Sequence, residues 1–151
     1  MSLQQKHVDL LLSDYAMYHR TKGNIICHYF GISMIVYGLL SFLSLLPVWK
    51  IVTGAELLLI ASVLYYVTLD VRLGLAALVA VGILDISVRA AASPLLGLCF
   101  FILGWIFQGI GHAVFEKKSP AFFKNLIHLM IGPLFLLNEA FRFRPVAAPA
   151  V

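Results

Sequence analysis

Charged side chains are scarce in this sequence. Its 151 residues hold 11 Lys and Arg and 7 Asp and Glu, so charge makes up 12% of the chain, about half the ~25% of soluble domains. Apolar residues rise to 62%, and a chain this short has too little interior to hide them from water. A soluble enzyme, a nucleic-acid binder and a disordered chain are thereby excluded. Cysteine is scarce too: Cys27 and Cys99 both lie inside apolar stretches, which implies no disulfide framework. Neither a Gly-x-Ser-x-Gly elbow nor a Gly-rich phosphate loop occurs. The first 24 residues are broken by Lys6, His7, Asp9, Asp14, His19, Arg20 and Lys22, so no cleaved signal peptide is expected.

What is present is a succession of apolar runs. Over residues 2–19, Leu3, Val8, Leu11, Leu12, Tyr15 and Tyr18 recur at helical spacing. This predicts an amphipathic helix, either lying in the membrane interface or packed on the protein itself. Four runs follow, at about 25–46, 51–69, 73–92 and 94–114. The first would rise about 33 Å as a helix, enough for a hydrocarbon core of ~30 Å. A last run, about 121–141, is interrupted by Lys124, His128, Pro133 and Glu139; it either crosses or enters and kinks back at Pro133. The expectation is an all-α integral membrane protein, one domain over residues 1–151. It would have four to five transmembrane helices plus the N-terminal amphipathic helix, and a disordered tail from Val146.

The net charge of +4 sorts by topology rather than marking a nucleic-acid surface. If four runs cross, one side collects Lys6, Arg20, Lys22, Arg72, Lys117, Lys118 and Lys124, and the other Lys50 and Arg89. Arg142 and Arg144 join whichever side the fifth run ends on. Either way the excess puts the N-terminus in the cytoplasm, in a bacterial inner membrane or an endoplasmic reticulum.

Ionisable groups inside apolar runs are costly and need a reason. Glu56, Asp85 and Arg89 fall at the outer ends of the second and third runs, where Asp85 and Arg89 are i,i+4 neighbours; a structural ion-pair cluster is expected. His19, His28, His112 and His128 converge on the cytoplasmic side although up to 109 residues apart, while His7 is expected to be exposed. Asn24 with His28, and His112 with Glu116, are i,i+4 pairs, each presenting two side chains from one helical face. Several imidazoles with at most one carboxylate suit iron or zinc. The four histidines are therefore candidate metal ligands, with Glu116 and Asn24 as candidate catalytic groups. Glu116 could bind the metal, orient His112 or move a proton.

Tyr18-His19, Asn24, His28 and Gly31 resemble the first motif of the Mpo1-like family. Trp105, Gln108, Gly111-His112, Phe115-Glu116 and Pro120-Ala121 resemble its second, and Asn125, Pro133 and Glu139 its C-terminal part. The resemblance runs from about Asp14 to Phe141. It implies an Fe(II)-dependent dioxygenase that shortens 2-hydroxy fatty acids by one carbon, using O2 as co-substrate. It also implies His19, His28 and His112 as iron ligands with Glu116 beside them. The partners expected are a 2-hydroxy fatty acid and membrane lipid. The competing expectations are a zinc-dependent intramembrane lipid hydrolase and a non-catalytic transporter or scaffold.

Overall fold

The structure, a computed structural model, describes residues 3–91, 93–117 and 127–146. Lys118, Pro120, Ala121, Lys124 and Asn125, the opening of the fifth apolar run, and the tail beyond Val146 lie outside the described residues. The described chain is mostly helical: α1 (Leu3–Ala16), α2 (Lys22–Leu43), α3 (Gly54–Leu69), α4 (Val71–Ala91), α5 (Pro94–Ile110) and α6 (Ile127–Phe141). A π-helical turn, Gly111–Glu116, continues α5.

Helices α2, α4 and Pro94–Glu116 are long and apolar enough to cross a membrane. Helix α3, 16 residues, rises about 24 Å and is shorter than a ~30 Å hydrocarbon core. It begins later than the apolar run suggests because the chain first makes a small hairpin, β1 (Pro47–Trp49) against β2 (Val52–Thr53). Thr53 then caps α3 in a reciprocal box: Glu56 Oε2 accepts from the Thr53 backbone N–H at 2.6 Å. The Thr-x-x-Glu spacing that encodes this start was present in the sequence. At the same end Arg89 Nε donates to Asp85 Oδ2 at 2.9 Å and the guanidinium meets Glu56, forming the expected ion-pair cluster.

Helices α2 and α5 pack closely as an antiparallel pair because glycines face one another. A Cβ on Gly104 would fall 2.7 Å from the Gly31 carbonyl oxygen, and one on Gly38 2.7 Å from that of Gly97. Small residues at such crossings bring apolar helices into backbone contact. Helices α3 and α4 form a second antiparallel pair, which packs on α2 to make a bundle of four helices with α5 held mainly by α2.

Helices α1 and α6 lie together across one end of that bundle. Val8, Leu12 and Tyr15 of α1 are buried against Ile131, Leu134 and Phe135 of α6. Polar contacts fix their antiparallel register. His128, at the start of α6, meets Asp14. Arg144, just past its end, meets Asp9 and the Gln5 carbonyl and also reaches Asp70 at the α3–α4 turn. Tyr29 and Tyr66 hydroxyls donate to the Leu136 and Met130 carbonyls. Both ends of α6 therefore sit where α2 and α4 begin and α3 and α5 finish. Pro133 lies inside α6, which continues through it as one helix.

Candidate metal centre

The loop after α1, the first turns of α2 and the π turn after α5 bring three imidazoles to one point. One nitrogen from each of His19, His28 and His112 lies within 4.8 Å of the others, and all three residues are buried. His19 Nδ1 is 2.8 Å from the Tyr15 carbonyl and His28 Nδ1 is 2.9 Å from that of Asn24. A carbonyl only accepts, so both Nδ1 atoms carry the proton and donate. Both Nε2 atoms are then bare, yet they face each other at 3.0 Å. Two lone pairs at that distance repel unless a cation lies between them. Metal–imidazole bonds are about 2.0–2.1 Å, so both nitrogens can reach one ion. Burial, reinforced by the neighbouring His28, pushes the His19 imidazole down to about 2, so it stays neutral and able to ligate. Tyr15 stacks on the His19 ring, centroids 4.0 Å apart, and locks its orientation.

The remaining sequence candidates surround this triad without joining it. Glu116, the last residue of the π turn, reaches the start of α2. Its Oε1 accepts from the backbone N–H groups of Arg20 (2.6 Å) and Thr21 (2.8 Å), from the Thr21 hydroxyl and from Asn24 Nδ2. A carboxylate suits the positive end of a helix. Asn24 is fully buried and also donates to the Tyr18 carbonyl. Together they clamp the His19–His28 segment onto the π turn carrying His112. His128 is buried next to Tyr15 and Tyr18, and its Nε2 donates to Asp14 Oδ2 at 2.8 Å. His7 is exposed. Sequence reading missed the roles of Asp14 and Tyr15. Tyr15 was visible only as part of an apolar stripe, and Asp14 had no signal linking it to a histidine 114 residues away.

The triad opens into a cavity of about 370 Å³ whose walls come from all six helices and the π turn. Its polar side chains gather at the triad end: Tyr15, Gln108 and His128 beside the three imidazoles, with Tyr66 close by. From there it continues between the α2–α5 pair and the α3–α4 pair past Ile32, Ile35 and Trp105, with Ser62 as an isolated hydroxyl. Gln108 Nε2, His112 Nδ1 and His128 Nδ1 are buried and lack a hydrogen-bond partner among the described residues. Buried polar atoms are normally paired, so three such atoms on residues lining one cavity mark a place where a ligand completes the site.

A family model described as "2-hydroxy-palmitic acid dioxygenase Mpo1-like" matches residues 5–143. The chain belongs to the Mpo1-like family. Within it, the 2-hydroxy-palmitic acid dioxygenase MPO1 of Saccharomyces cerevisiae is 30% identical, covering 85% of this chain and 76% of the yeast protein. No solved structure matches the chain. The two sequence blocks that resemble Mpo1-like motifs, around 18–31 and 105–116, are the ones the fold joins at the triad.

Proposed function

We propose that the protein is an iron(II)-dependent dioxygenase that converts 2-hydroxy fatty acids to fatty acids one carbon shorter. The observation that carries the reading is the pair of unprotonated Nε2 atoms of His19 and His28, 3.0 Å apart beside His112 at the polar end of an otherwise apolar cavity. Family membership supplies the reaction class, and the cavity suits a substrate with a polar head and a long apolar chain.

In this reading His19, His28 and His112 hold the iron, which when bound supplies the electrons and the O2 chemistry that imidazoles lack. Tyr15 and Asn24 present main-chain carbonyls that fix the tautomers of two ligands. Glu116 and the Asn24 side chain position the ligand-bearing segments, and Glu116 binds no metal directly. His128, oriented by Asp14, offers its bare Nδ1 as an acceptor to the 2-hydroxyl of the substrate and is not a fourth ligand. The apolar walls keep bulk water from the reacting end. Helices α2 to α5 cross the membrane, and α1 and α6 lie over the cytoplasmic end with the metal site beneath them.

Elemental analysis of anaerobically purified protein tests this, paired with mass spectrometry of products from 2-hydroxypalmitate. The expected result is close to one iron per chain and a C15 acid formed only with O2. The variant His112→Ala should lose the iron and lower turnover at least about 100-fold, the upper end of what disturbing a ligand's outer partners does. Stoichiometric zinc, or product formed without oxygen, would overturn the proposal in favour of a hydrolase.

A further inference from the structure

The cavity has a depth set by the helices that line it. Down α2 the lining side chains descend from His28 through Val36 to Leu40; down α5, running the other way, they descend from His112 through Trp105 to Phe101. The two series reach the same level, because Gly38 on α2 packs against Phe101 on α5. Leu58 of α3 and Val81 of α4 line the cavity at that level. There fully buried Leu40 joins Tyr37, Ala55 and Val88 in a packed cluster. Leu40 lies twelve residues beyond His28, a drop of about 18 Å at about 1.5 Å per residue. An extended acyl chain advances roughly 1.25 Å per carbon, given C–C bonds of about 1.5 Å. The space therefore takes about 14 carbons below the metal.

We infer that this limb is an acyl-chain gauge in which Leu40 and Phe101 form the floor and Val36 the wall at mid-depth. It selects 2-hydroxy acids of roughly 14–16 carbons. The inference rests on the proposed function for the identity of the head group, but the gauge itself is a statement about binding. Shorter chains leave apolar wall uncovered, and longer ones meet packed side chains, which give way only at a cost of about 1–3 kcal/mol.

Trp105 makes the occupancy visible. It lies seven residues from His112, about 10 Å down the limb, and the chain's other tryptophan, Trp49, is exposed in the hairpin. In a Trp49→Phe background, 2-hydroxy acids brominated at carbons 9 and 10 should quench Trp105 more than acids brominated at the chain terminus. Competition by unbrominated acids should give tightest binding near 14–16 carbons. The variant Val36→Phe should move that optimum about four carbons shorter, and Phe101→Ala should move it longer, with the oxidation rate following the same profile. Quenching that ignores bromine position, or an optimum unmoved in both variants, would overturn the gauge. If acids bind with this profile but the iron-loaded protein does not oxidise them, the gauge stands and the proposed function falls.

Discussion

At the scale of single residues, the centre depends on which nitrogen carries a proton. The acceptors that decide this are the main-chain carbonyls of Tyr15 and Asn24, so replacing their side chains leaves the tautomers in place. Protonation is a different matter. The His19 imidazole sits far below the ordinary 6.5 because it is buried beside other imidazoles. The unfolded chain therefore binds a proton there that the folded one rejects, and stability rises with pH across this window. The contribution is complete above about pH 6.5 and drains away as pH falls toward 2, by about 1 kcal/mol per pH unit for one proton. Metal-stripped protein should lose thermal stability between pH 7 and pH 5, with a shallower slope in His19→Gln. Thermal midpoints in detergent check this, and equal slopes in the two proteins would refute it.

Among elements, α5 is positioned by its glycines. The triad needs His112 beside His28, and that spacing follows from how closely α5 approaches α2. A valine at Gly104 would place its Cβ 2.7 Å from the Gly31 carbonyl oxygen and 2.9 Å from the Ile35 backbone nitrogen, whereas a Cβ at Gly109 meets nothing within 4 Å. Gly104→Val should therefore cost about 3 kcal/mol, the upper range for overpacking, and loosen metal binding. Gly109→Ala should be neutral or slightly stabilising, since alanine is the better helix former. Thermal midpoints and metal stoichiometry of the two variants, measured together, decide the point. The π turn is the other decisive element: it carries His112 at one end to the triad and Glu116 at the other to the N-terminus of α2.

For the whole molecule, the question is how α1 and α6 stay over the bundle. Arg144, whose side chain is 8% exposed, contacts Asp9 of α1 and Asp70 of the α3–α4 turn. Asn138 closes the loop, accepting from the Arg144 N–H at 2.9 Å and donating to its carbonyl. Removing one partner of such a largely buried cluster strands the others, at about 3 kcal/mol. Arg144→Ala should lower the thermal midpoint and raise protease sensitivity of α6. The triple variant that also replaces Asp9 and Asp70 with Asn should recover part of the loss. No recovery would mean that the charges act independently.

Composition and spacing alone determined that the chain is apolar and helical, where four of its helices begin and end to within a few residues, and which histidines deserve attention. Those features are local: they depend on hydropathy over one turn or one run. Spacing also linked Asp85 to Arg89, an i,i+4 pair that any helix would bring together. The tertiary structure decided that three of the four histidines share a point while His128 pairs with Asp14. It also decided that Glu116 serves a helix terminus, and that α6 lies across the bundle end rather than turning at Pro133. The apolar limb below the triad came from it as well. Each of these depends on the approach of helices distant in sequence, set by facing glycines and by Arg144, and side-chain periodicity within one helix carries no record of what the next one brings.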